Sequence, residues 1–315
     1  MTHKLDDFEP ALAELEREDW FSGLEALAEE HGYYEPLGDK HVAAFIDAGP
    51  CLLVTFESFD EIVEGNRNRE PRGFSMVRQH GWSHLSIISN GPSWFRDSRV
   101  YRYFDRLVDD GFFEDFEQVL FYGVHRGGYA ATAFSVAAPG ARILALRPVA
   151  TLDPKVTFWD GRYRSDRRLN FNDRYGYAPD MIEAAAEAFV VFDPYETLDA
   201  MHGSLFNRPN ATHLRTVALG DKVETGLDTL KALEPLMLAA MEGELNPQLF
   251  GEIYRPRHQN VPYLRMLLAL TERQNKYALA KRICDHVLSK KDLPFFARRK
   301  EIAETKLRAV GPETA

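Results

Sequence analysis

The sequence predicts an α/β fold, a mostly parallel sheet with helices on both faces. Three observations carry that prediction. Apolar runs of strand length recur at residues 52–56, 84–89, 119–122, 142–147, 188–192 and 212–219, and several stop at turn residues such as Pro148, Asp193-Pro194 and Gly220-Asp221. Helical patterns separate most of them, at residues 98–109, 128–138, 179–187 and 196–206. In FYGVHRGGYAATAF, residues 121–134, an apolar run meets a glycine-flanked turn and then a helix of small residues. Strands alternating with helices imply a parallel sheet, whose ligand sites lie beyond the carboxyl ends of the strands.

Taken in chain order, Leu5, Phe8, Leu12 and Leu15 fall at helical spacing, and Trp20, Leu24 and Leu27 continue a second amphipathic segment to Gly32. This predicts an N-terminal helical hairpin over residues 1–38. Residues 42–46 and 52–56 flank Asp47-Ala48-Gly49-Pro50 and read as a β-hairpin entering the sheet. The α/β body then spans residues 39–232, with an insertion at 151–178 rich in arginine and aromatic side chains. From residue 233 the period turns purely helical: Tyr263, Leu264, Leu267 and Leu268, then Tyr277, Ala280, Ile283 and Cys284, predict packed antiparallel helices over 233–315, weakly like a tetratricopeptide pair.

At 315 residues and 45% hydrophobic, the chain can bury a large core. It has no opening apolar segment behind a basic start and no run of about 18 apolar residues. A cytoplasmic protein without a membrane partner is expected. Cys51 and Cys284 form neither a disulfide framework nor a CxxC pair, and both read as small core residues. The net charge of −10 is unevenly spread: residues 253–315 hold 14 Lys and Arg against 6 Asp and Glu, leaving 24 against 42 elsewhere. A basic extension on an acidic body argues first for docking on itself, and second for an acidic partner. No aromatic-interleaved basic groove accompanies the charge, so no nucleic-acid partner is expected. His80 and His84 are four apart, but Gly81 and the following strand deny them one helical face. No metal is expected, and with neither phosphate-loop nor dinucleotide-loop spacing, no cofactor.

The turn at residues 123–128 has the grammar of a nucleophile elbow, G-x-S-x-G, in which the apex presents a hydroxyl above the sheet. Here the apex is His125. Residues 40–230 resemble α/β-hydrolase-fold proteins with a GxSxGGY elbow. That resemblance implies a nucleophile, an acid and a histidine in chain order, which places His125 first, Asp193 of VVFDP second and Asp221, where a Gly-His pair usually stands, third. It further points to Ser58, Trp94, Arg126 and Gly127 near the mouth. Ser58, Ser89 and Ser93 are substitute nucleophiles on paper, although serine is equally at home as a turn or cap residue.

A closer likeness is to a bacterial group commonly labelled phosphoadenosine phosphosulfate reductase, through segments such as RGFSMVRQHGWSHLSIISNG, DRYGYAPDMI and LDAMH. That activity needs a PP-loop of SGGxDS type and a cysteine in an ECGxH setting. The chain has neither, and Cys284 lies in RICDHV.

In the insertion, Arg162, Arg164, Arg167, Arg168 and Arg174 mix with Phe158, Trp159, Tyr163, Phe171, Tyr175 and Tyr177. Such a cap would suit a flat anionic molecule, with Arg164 and Arg168 as clamps. The alternative is that its arginines pair with the acidic body. Three functional readings follow: a catalytically degenerate hydrolase homologue that binds; a hydrolase or transferase on an anionic or carbohydrate substrate, using His125; and a scaffold that binds a protein through its C-terminal helices.

Overall fold

The structure, a computed structural model, describes residues 8–310. Eight strands form one sheet: β1 (Gly32–Pro36), β2 (His41–Ile46), β3 (Cys51–Ser58), β4 (Ser83–Ser89), β5 (Gln118–Val124), β6 (Arg142–Leu146), β7 (Glu187–Phe192) and β8 (Ala211–Arg215), in the order β1-β2-β4-β3-β5-β6-β7-β8. The ladders from β4 through β3 to β8 are parallel, and the β1–β2 and β2–β4 ladders are antiparallel. The mostly parallel sheet that the sequence predicts is therefore present.

Among the described residues fourteen α-helices lie among and beyond these strands: α1 (Arg17–His31), α2 (Phe59–Gly65), α3 (Phe74–His80), α4 (Ser98–Asp109), α5 (Arg126–Phe134), α6 (Pro154–Thr157), α7 (Ala178–Met181), α8 (Thr197–Leu205), α9 (Val223–Thr229), α10 (Leu233–Glu242), α11 (Pro247–Ile253), α12 (Val261–Arg273), α13 (Tyr277–Leu288) and α14 (Pro294–Val310).

The central strands are buried on both faces, which is why they read as unbroken apolar runs. On one face Val54, Phe56, Phe121, Ile143 and Val190 pack with Tyr103 and Phe104 of α4 and Tyr129 and Phe134 of α5. On the other, Leu53, Leu120, Leu144 and Val191 pack with Leu236, Met237 and Ala240 of α10, in a cluster that continues through Tyr263 and Leu264 to Cys284 and Phe296. The C-terminal helices thus share a core with the sheet. A third cluster sets Trp20 and Leu24 of α1 against Phe59, Phe74 and Ile88.

Five local expectations change. Of the N-terminal hairpin the structure has one helix, α1; Phe8 and Leu12 are buried in an irregular lead-in, and Leu5 lies outside the described residues. β2 and β3 do not form a hairpin, because β4 lies between them. The all-buried SHLSIIS of β4 needs a partner on each edge, and that long-range demand overrides the local turn signal. Residues 179–187 hold only the short α7 and a 3₁₀ turn, and β8 stops at Arg215. Cys51 is half-buried, whereas Cys284 is core.

Candidate functional site

β5 lies between β3 and β6, with Gly123 paired to Phe56 on one side and Ala145 on the other. Beyond Val124 the chain reverses at His125 and enters α5. His125 holds φ 57° and ψ −106°, a conformation that costs a residue with a side chain about 1–3 kcal/mol, and its N–H donates to the Leu146 carbonyl at 2.8 Å. The glycines are there because nothing larger fits. A Cβ at Gly123 would sit 2.1 Å from the Gly127 carbonyl oxygen, and one at Gly127 would sit 2.1 Å from that of Phe56. The imidazole therefore stands at the tip of a central parallel strand, where an elbow would present its hydroxyl.

The cap closes over that tip. Nε2 of His125 is hydrogen-bonded to the Tyr163 hydroxyl. Trp94, 2% exposed, lies 6.0 Å away between ring centroids and donates its indole N–H to Asp166 at 2.8 Å. The Arg126 guanidinium stacks over Trp94 at 5.4 Å and stands 3.6 Å from Asp166. Burial, reinforced by the charges of Arg147, Arg126 and Arg162 against that of Asp199, lowers the His125 pKa to about 3. The imidazole is neutral at pH 7 and a weak base.

Beside the tip runs a buried polar network. Arg147 donates to Asp199 at 2.6 Å; Arg162 donates to the other Asp199 oxygen at 2.6 Å and clasps Asp160. His202 is fully buried; its Nδ1 accepts from the Ala150 amide at 3.2 Å, so the proton sits on Nε2 and is donated to Asp160 at 2.9 Å. Burial pushes the Asp160 carboxyl up, but the bonds from His202 and Arg162 outweigh it and hold the group well below the usual carboxylate range. Sequence reasoning missed Arg147, Asp160, Asp199 and His202. The available signal was the i, i+3 pair Asp199–His202 on α8, which shares a helix face.

The sequence-predicted residues scatter. Asp193 is 2% exposed, and its oxygens accept from the amides of Tyr195 (3.0 Å) and Gly220 (2.8 Å). It ties the loop after β7 to the loop after β8. The Asp221 side chain is exposed, and its carbonyl accepts from Arg147 at 2.6 Å. Neither carboxylate is hydrogen-bonded to His125. Ser58 caps α2: its hydroxyl accepts from the Glu61 amide, and its own amide donates to the Glu61 carboxylate at 2.9 Å. Gly127 packs backbone-close against β3.

Most of the cap arginines are engaged within the chain. Arg167 donates to the carbonyls of Thr157 and Asp160, Arg168 to that of Ser165, and Arg174 pairs with Asp105. Arg164 and Arg168 are exposed. Ser89 donates to the Gly91 carbonyl at 2.7 Å. Ser93 lies 2.7 Å from Nε2 of His41, but Nδ1 of that ring has no partner, and burial lowers its pKa to about 4. A base so weak, with no acid behind it, activates a hydroxyl poorly. His80 pairs with Glu234, while His84 is buried against Thr55. Among the described residues no three His, Cys, Asp or Glu side chains are grouped to hold a metal ion, and no helix is long and apolar enough to cross a membrane.

No protein-family model matches the chain, and no curated protein matches it. Among solved structures, the chain is similar to a carboxyl esterase from Tuber melanosporum, at 11% identity over 67% of this chain and 82% of that one, with a TM-score of 0.39. It is similar to Est1E of Butyrivibrio proteoclasticus at 13% identity over 66% and 98%, with a TM-score of 0.43. A thermophilic carboxylesterase cloned from a metagenomic library is likewise similar, at 12% identity over 74% and 99%, with a TM-score of 0.43.

Proposed function

We propose that this chain is a catalytically degenerate α/β-hydrolase homologue that acts as a binding or interaction protein. The observation that carries the reading is the hydrogen bond between His125 and Tyr163: the elbow apex has no hydroxyl, and its imidazole is held by the chain's own cap. Removing a nucleophilic hydroxyl from such a site lowers turnover on the order of a million-fold, because the covalent route is lost. The partners agree with this. The Asp193 carboxylate is saturated by backbone amides, the Ser58 amide is occupied by Glu61, and His125 is too weak a base to drive hydrolysis in the place of a triad.

The test is a panel of acyl, glycosyl and sulfate esters together with a fluorophosphonate probe, applied to the wild type and to His125→Ala. The expected result is no turnover that depends on His125 and no labelled serine. Turnover abolished by His125→Ala, or labelling at Ser93, would overturn the reading.

A further inference from the structure

We propose that the groove between α12 and α13 is a docking site for an acidic, amphipathic peptide segment of a partner protein, its apolar side chains filling the groove and its carboxylates meeting Arg282 and the neighbouring Arg255, Arg257 and Lys290. The inference rests on the reading of this chain as an interaction protein, and names where it interacts and with what.

The groove has a volume of about 320 Å³ and is floored by Leu264, Leu267, Leu279 and Ile283, with Arg282, His258 and His286 at its edges. Leu279 is 42% exposed, although helix positions of this kind normally face a core. The volume lies at the low end of ligand pockets, which suits a few side chains of a docked helix better than a whole small molecule.

Charge identifies the occupant. Residues 253–315 carry a net +8 and the rest of the chain −18, yet among the described residues no ion pair joins 253–310 to 8–232. The docking of these helices on the body is largely apolar, with a hydrogen bond from the Tyr254 hydroxyl to the Val217 carbonyl, so the opposite charges of body and extension are not paired. Within the extension, Glu272 pairs with Arg299, and Asp285 with Lys281 and Lys300, and neither carboxylate lines the groove. Of the side chains that line the groove Arg282 carries a fixed charge, and no carboxylate is among them. The charges that press on His258, those of Arg257, His286, Arg255 and Lys290, are all positive. A carboxylate arriving there meets an uncompensated positive field, with apolar surface beside it to be covered.

The experiment is fluorescence polarisation of the full chain against labelled synthetic amphipathic peptides with one common leucine face, in a series from strongly acidic to strongly basic. Affinity should rise along the series toward the acidic peptides and fall as salt is added. It should drop at least about tenfold in Arg282→Glu and in Leu279→Glu, both exposed positions whose variants keep the wild-type melting temperature. Arg298→Glu, an exposed cation outside the groove, should bind like the wild type. Equal affinity across the charge series, or indifference to both groove variants, overturns the proposal. So does self-association abolished by Arg282→Glu, which would assign the groove to a second copy. None of these variants touches His125, so hydrolytic turnover in the ester panel would remove the degenerate-hydrolase reading while leaving this result to stand by itself.

Discussion

The cap at 151–178 and the C-terminal helices are both rich in cations, and the structure treats them in opposite ways. In the cap, Arg162 lies between Asp160 and Asp199, Arg167 donates to two carbonyls, and Arg174 meets Asp105. In the C-terminal helices, Glu272 and Asp285 pair with Arg299 and Lys300 of α14, while the lining of the groove between α12 and α13 holds Arg282 and no carboxylate. The same residue type thus acts as internal scaffold in one place and as outward field in the other. What separates them is whether a carboxylate is carried on a neighbouring element that the fold brings within reach.

The sharpest way to break that comparison is to remove a cap anion. Asp160→Ala leaves the buried Nε2–H of His202 without its acceptor and Arg162 with Asp199 alone, a loss of about 1–3 kcal/mol for a buried donor left unsatisfied, read as a clear fall in melting temperature. Reversing an exposed tail cation, Arg282→Glu, should alter stability by no more than about 0.5 kcal/mol. If the two variants melt alike, the cap network is not structural and the contrast fails.

Acid gives the next largest effect. His41, His84 and His125 have pKa values lowered to about 4, 3 and 3 by burial, so the native state refuses protons that the unfolded chain accepts below about 6.5. The stability contributed by keeping these rings neutral is complete above that pH and is lost as pH falls from about 6.5 toward 4, at about 1.4 kcal/mol per pH unit for each neutral ring. Chemical denaturation at a series of pH values should show this slope, and His125→Gln should flatten it. An unchanged slope in that variant would mean that the cap does not seal the tip.

The smallest effect belongs to the exposed cap arginines. Arg164→Ala and Arg168→Ala should each change stability by less than about 0.5 kcal/mol, since both side chains face solvent and the one bond made by Arg168 is to a carbonyl within its own turn. A substantial drop in melting temperature would make them part of the cap scaffold, alongside Arg162 and Arg167.

The boundary between sequence and tertiary structure follows the range over which each physical effect acts. Glycine geometry and apolar periodicity are local, so the residues themselves determined the elbow at Gly123–Gly127, the long helix at 98–109 and the central parallel strands. Partner choice is not local. Only the folded chain placed β4 between β2 and β3, turned Asp193 toward backbone amides, and gathered Arg147, Asp160, Arg162, Asp199 and His202 from three separate segments into one network. A charge count along the chain likewise measures how many cations there are; which of them keep their field depends on where the carboxylates come to rest, and that is decided by packing across the whole core.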